Sequence, residues 1–279
     1  MIQDYTFHCH SDFSDGDDTL ENMIKTAKEL GFSKIGISDH LIVHKNIEQS
    51  PSWNIMTSRT KPHIYRKDFQ SCLPAFKEHC EQIRKLAQKE NFKISVGFEV
   101  DFFTYDGWFE ELKDFLAQLD YDYLINGNHF LFAPDCETIY CIDKRLSGII
   151  DKPKIKSLIS SHFKTITKAA QSGLFKFTAH LDYVRKMGAE FYLPQEYQEE
   201  KTAVLEALTS SRTATEISTK GLRRIGDFYP DEWFLKQIKE REIPIIISDD
   251  AHRCSELGFD FDQAEAKLSE LGITNRLDF

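Results

Sequence analysis

Apolar positions along the chain follow two alternating rhythms. Short runs rich in β-branched and aromatic residues fall at residues 5–8, 34–38, 93–99, 123–126, 175–179, 215–218 and 243–248, which gives seven expected strands. Between them run amphipathic segments. In 19–30, Leu20, Ile24, Ala27 and Leu30 recur at near-helical spacing, and Gly31 follows as a residue suited to the left-handed helix stop. Segments 69–89, 108–119, 156–171, 195–209, 231–241 and 261–271 read the same way. Strand and helix in strict alternation imply a parallel sheet with right-handed crossovers.

The run "IPIIIS" is apolar on both alternating faces, so it suits a strand covered inside and out. A barrel provides such a place. An open doubly wound sheet would call for a GxGxxG turn after the first strand, and the sequence has none. The expected fold is therefore α/β, a seven-unit (β/α) barrel forming a single domain over residues 1–279. Residues 41–67 and 131–153 fit neither rhythm. They are expected to be long irregular loops, serving as lids or insertions.

With 41% hydrophobic and 29% charged residues, the chain has the composition of an ordinary globular protein. A formal charge of −10 argues against a nucleic-acid surface, which needs clustered Lys and Arg. Residues 1–7 lack a signal-peptide pattern, and no apolar run is long enough for a membrane span. The six cysteines form no CxxC pair and read as reduced thiols. Together these features point to the cytoplasm, with no membrane or nucleic-acid partner; oligomeric state leaves no trace in the sequence.

Polar chemistry gathers where the strands end. The runs close in "FHCHSDFSDG", "ISDH", "GFEVD", "NGNHF", "TAHLD" and "SDDAH". Strand residues two apart share a side, so His8 pairs with His10 and Asp250 with His252. In a barrel the C-terminal strand ends form one mouth, so residues spread along the whole chain converge there. A lone histidine at a strand end is more often a cap or core residue than a ligand. Six at five different ends are hard to obtain that way. His8, His10, Asp15, His40, Glu99, His129, His180, Asp250 and His252 supply nine donors of the kind that bind Zn, Fe or Mn. With Glu99 shared, nine donors suit two or three divalent ions. His63, His79 and His162 are expected at the surface and without a role, whereas His44 lies close enough to reach over the mouth.

These residues resemble the polymerase and histidinol phosphatase (PHP) superfamily, through His8/His10, Asp39/His40 and Asp250/His252. The resemblance implies a distorted seven-stranded, TIM-barrel-like fold and a trinuclear site. It divides the ligands as His8, His10, Glu99 and Asp250; Glu99, His129 and His180; and Asp15, His40 and His252. "HLDYVRK", "EISTKGLRRIGDFYP" and "IISDDAHR" are most similar to the histidinol-phosphate-hydrolysing branch, except that Ser218 stands where asparagine is usual. The resemblance implies phosphomonoester hydrolysis in histidine biosynthesis, by a hydroxide bridging two ions.

Arg185 is the first candidate for contacting the phosphate, ahead of Arg223 and Arg224, and His44 and Ser218 are further candidates for binding substrate. Another small phosphomonoester or a nucleotide phosphodiester is the alternative substrate. A metal-bound regulatory module would tend to lose ligands, yet all nine positions are filled. An amidohydrolase acting on C–N bonds would call for a lysine after a strand end, and none is expected at that place.

Overall fold

The protein, seen in a computed structural model, is described over residues 3–58, 60–133 and 137–279. Seven parallel strands follow one another around the sheet: β1 (Tyr5–Thr6), β2 (Lys34–Ile37), β3 (Lys93–Val100), β4 (Tyr123–Asn126), β5 (Phe177–Thr178), β6 (Ala214–Ser218) and β7 (Ile245–Ser248). Each strand pairs with the next in the chain. The ends of the sheet meet. Cys9 forms a parallel bridge to Ala251, and the Gln3 side-chain amide donates to Ile247 O at 2.7 Å. The expected seven-unit barrel is therefore what forms, nearly closed between β1 and β7.

Four of the long helices start where the sequence supplies a side-chain cap beside an apolar stripe. Asp68, Asp151 and Asp231 each accept a backbone N–H at the start of α2 (Phe69–Glu90), α4 (Lys152–Gln171) and α6 (Glu232–Glu240). Thr19 does the same for α1 (Leu20–Glu29). The remaining long helices, α3 (Trp108–Leu116), α5 (Gln198–Ser211) and α7 (Phe261–Leu271), lie within two or three residues of the predicted segments.

Inside the barrel, Tyr123 crosses β2 and β3 and its hydroxyl donates to Phe7 O at 2.9 Å. Glycine is needed beneath it, because a Cβ at Gly36 or Gly97 would come within 2.3 Å of the Tyr123 side chain. Phe7, Tyr123, Phe177 and Phe279 close the N-terminal end of the barrel with stacked and edge-on rings. The C-terminal strand ends are left for polar groups.

The two segments expected to be irregular carry structure of their own. Strand His40–Val43 continues beside the end of β3, with His40 opposite Glu99, and Tyr65–Arg66 pairs with it in turn. Within the second segment, Phe130–Phe132 and Ile139–Cys141 form an antiparallel ribbon. The two segments are tied together by Ser50 Oγ to Ile139 O (2.7 Å), Cys141 N to Ser52 Oγ (2.8 Å) and Lys45 Nζ to Glu137 (2.7 Å). They form a wall beside the barrel mouth instead of a loose loop. Five of the cysteines are free thiols; Cys136 lies outside the described residues.

Candidate metal centre

Glu99, near the end of β3, is completely buried and stands at the hub of the strand ends. Its Oε2 lies 3.3 Å from His8 Nε2, 3.4 Å from His10 Nε2 and 3.1 Å from His40 Nδ1. Its Oε1 lies 3.0 Å from His180 Nε2 and 3.7 Å from His129 Nε2. Gly127 makes room for this carboxylate, since a Cβ there would sit 1.8 Å from Oε1. Asp250 Oδ1 approaches His8 (3.6 Å) and His10 (3.3 Å), and Asp15 Oδ1 approaches His40 (3.4 Å) and His252 (3.2 Å). All nine candidate ligands thus share one neighbourhood. Their donor atoms gather as His10/Asp15/His40/His252, His8/His180/Asp250, His8/His10/Glu99 and His40/Glu99/His129.

The backbone is bent to bring them there. His180 and Asp250 take positive φ (23° and 46°), a costly conformation for residues other than glycine and one that gathers at functional sites. Burial, aided by His252 and His40, drops the His10 pKa to about 3; burial likewise drops His129 to about 3, against the pull of Glu99. Burial also lowers His40. These imidazoles are therefore neutral and keep a lone pair for a metal. Glu99, Asp15 and Asp250 behave oppositely: burial alone would raise them, but facing imidazoles, and for Asp250 also Lys220, hold all three well below the usual range.

Burial would lower His8 and His252 too, but Glu216, Asp250 and Glu99 raise His8 well above the usual imidazole range and Asp15 raises His252, so a metal must displace a proton from these two rings. Two buried carboxylates, Glu99 and Asp250, and the part-buried Asp15 are therefore ionised beside three neutral rings. Among the described residues, His8 Nε2, both His10 ring nitrogens, His40 Nδ1, Asp15 Oδ1, Glu99 Oε2 and Asp250 Oδ2 have no hydrogen-bond partner. Buried charge and orphaned donors of this kind are costly unless a cation joins them. The residues fit divalent metal.

Several supporting residues lay outside the sequence expectations. Glu216 Oε2 is 2.8 Å from His8 Nδ1, and its Oε1 accepts from His180 N at 3.0 Å. Asp101 accepts from His129 N (2.6 Å) and lies 3.0 Å from its Nδ1. Such carboxylates fix the orientation of a metal-binding imidazole. Asp101 could have been found two residues past Glu99, on the same side of the strand. Glu216 could have been found as a carboxylate inside the apolar run "ATEIS". Asp39 ties Ser11, Ser14 and His79 together. His79 is thus a buried partner of Asp39, and His162 is buried against Phe130 O, instead of standing at the surface; His63 is exposed as expected.

Above the cluster opens a cavity of about 550 Å³. Asp15, His40, His129 and His252 line its base, and Lys186, Lys220, Arg224 and Arg253 line its side. Arg185 is not on this wall. Its guanidinium is occupied by Asp227 (2.5 Å), Phe228 O (2.6 Å) and Asp182 (3.5 Å). Arg224, eight residues past Glu216, lines the cavity in its place. His44 is buried edge-on against Phe103 and Tyr105, and accepts from Asn46 N, away from the lining. Ser218 is buried in a backbone bridge to Tyr229, and it is Tyr229 that reaches the cavity. Lys220 corrects another expectation, for a lysine does follow a strand end and its Nζ lies 2.8 Å from Asp250 Oδ1.

The model of the PHP domain matches residues 6–220. A probable histidinol-phosphatase of Deinococcus radiodurans is 25% identical over 214 residues, covering 76% of this chain and 78% of its own. The histidinol-phosphatase of Bacillus subtilis is 23% identical over 279 residues, covering 91% of this chain and 96% of its own. Among solved structures, histidinol phosphate phosphatase from Lactococcus lactis, complexed with Zn, L-histidinol and phosphate, superposes with a TM-score of 0.71. The alignment covers 100% of both chains at 18% identity, a likeness of fold.

Proposed function

The chain belongs to the PHP domain family, and from that premise we propose that it is a metal-dependent phosphomonoesterase that hydrolyses L-histidinol phosphate to L-histidinol and phosphate. The observation that carries this reading is the convergence of six imidazoles and three ionised carboxylates at the strand ends, with five of the rings within 4 Å of the buried Glu99 carboxylate. The two curated histidinol-phosphatases support the substrate.

In this reading His8, His10, Asp15, His40, Glu99, His129, His180, Asp250 and His252 hold two or three divalent ions, and Glu99 is shared between them. Zn, Fe and Mn all suit this donor set. When bound, such ions supply Lewis acidity toward water and toward a phosphoryl oxygen. The chain's own residues do the rest. Glu216 and Asp101 hold the His8 and His129 rings in register, and the neutral imidazoles keep their lone pairs directed at the cluster. Arg224 and Lys186 line the cavity as cations able to meet the phosphate, with Arg224 taking the role first expected of Arg185. No helix among the described residues is long and apolar enough to cross a membrane, and we place the enzyme in the cytoplasm, acting on a small phosphorylated substrate without nucleic acid.

A second reading keeps the chemistry and changes the ester. Lys144, Arg145, Lys186, Lys220, Arg224 and Arg253 line the cavity against Asp15, Asp17 and Asp143, which favours an alcohol less cationic than histidinol. Phosphate release from L-histidinol phosphate, measured beside other phosphomonoesters and a phosphodiester, separates the two. Preference for L-histidinol phosphate supports the first reading. Turnover of other phosphomonoesters alone supports the second, and absence of hydrolysis by metal-replete protein sinks both.

A further inference from the structure

Lys220 begins the short helix Lys220–Ile225, two residues past β6, and is more than nine-tenths buried. Its Nζ lies 2.8 Å from Asp250 Oδ1, and 3.3 and 3.5 Å from the two ring nitrogens of His252. The approach to Asp250 is charge against charge, since Asp250 Oδ1 has no aligned hydrogen bond among the described residues. Asp250 groups with His8 and His180, whereas His252 groups with His10, Asp15 and His40. A single ammonium therefore touches donors from two candidate ion positions.

We propose that Lys220 is a tethered cation that divalent metal must displace from Asp250, so that the ion on the Asp250 side is the weakest bound. The proposal rests on the metal-dependent reading of the site. A divalent ion would sit about 2.0–2.2 Å from a carboxylate oxygen or imidazole nitrogen. An ammonium already 2.8 Å from the same oxygen lies where the two positive charges repel strongly, and burial keeps water from screening them. Full loading therefore requires the ammonium to leave Asp250, and the cavity that Lys220 already lines gives its flexible stem a place to go. Removing the lysine has a diagnostic sign. The metal-free protein loses the cation that offsets a buried carboxylate, while metal gains an uncontested ligand. A residue that merely supported the site would, on removal, weaken metal binding instead.

The test is zinc titration of metal-free wild type, Lys220→Met and Lys220→Gln against a chromophoric chelator, with thermal unfolding of the metal-free and zinc-loaded forms. Both variants should bind the weakest zinc about tenfold more tightly or better, and zinc should raise their unfolding temperature more than it raises that of wild type. Lys220→Arg should keep the wild-type step, because it keeps the charge. If Lys220→Met does not fold without zinc, Lys220→Gln, which keeps a polar group beside Asp250, carries the comparison. Zinc affinity unchanged or weakened in the variants overturns the proposal while leaving the metalloenzyme reading in place. A wild type that binds no zinc overturns both.

Discussion

The barrel mouth is built from two unlike regions. The floor is made by strand ends, completely buried at His8, His10 and Glu99, with donors held by carboxylates and by strained backbone at His180 and Asp250. The wall is made by the two segments between β2 and α2 and between β4 and α4, pinned to each other by contacts such as Ser50–Ile139 and Lys45–Glu137. Atoms facing the centre of the floor, such as His8 Nε2, His10 Nε2, His40 Nδ1 and Glu99 Oε2, lack hydrogen-bond partners among the described residues, whereas Asp143 in the wall is satisfied by Arg145, at 2.9 Å from its backbone N and 3.0 Å from Nε. Unsatisfied buried donors mark where a metal is needed, and satisfied ones mark where shape is needed. The floor should therefore govern metal content and kcat, and the wall KM.

The largest effect is expected at the floor. His10→Ala should lower kcat about 10³-fold or more, with fewer ions per chain by elemental analysis. Equal activity with intact metal content would break the comparison. Next is Gly127→Ala, whose added methyl group would collide with Glu99 and push the shared carboxylate off the hub. A loss of about 10²-fold in kcat together with weaker metal binding is expected, visible in the same two measurements.

A third test reaches the framework beneath the floor. Burial, opposed by Arg185 and reinforced by Asp231, pushes the Asp182 pKa up to about 7. The folded chain then holds a proton that the unfolded chain has released, so this contribution is full below about pH 4 and is lost as pH rises through about 7. Asp182→Asn should flatten the fall in stability between pH 5 and 8 by about 2 kcal/mol, read by urea unfolding at both values. A fall as steep as that of wild type would show that Asp182 titrates normally. The smallest effect belongs to the wall. Arg145 joins Asp143 to Ser58 Oγ (3.1 Å) from an exposed position, so Arg145→Ala should raise KM only a few-fold, by about 1 kcal/mol, and leave metal content unchanged.

The floor was legible in the sequence because its chemistry sits at a fixed place in a regular pattern. "FHCH" and "SDDAH" close apolar runs, and a barrel carries such ends to one mouth whatever lies between them. The wall was not legible. Strand His40–Val43 follows the "SDH" turn with hardly a break, and its pairing with Glu99 and Val100 depends on a partner almost sixty residues away. Arg185 was misplaced for a related reason. Distance along the chain from His180 says that an arginine is near the mouth, but the turn Tyr183–Met187 points its guanidinium at Asp227, and a separate helix delivers Arg224 to the cavity. Lys220 was overlooked because a lysine two residues past a strand looks like an ordinary helix start until Asp250 and His252 are placed beside it.

The most direct measurement follows metal content and phosphate release from L-histidinol phosphate in one preparation, as a chelator withdraws the ions and divalent metal returns them. Two or three ions per chain, with activity falling and recovering in step with them, is the predicted result. Full hydrolysis by protein from which all metal has been removed would contradict it.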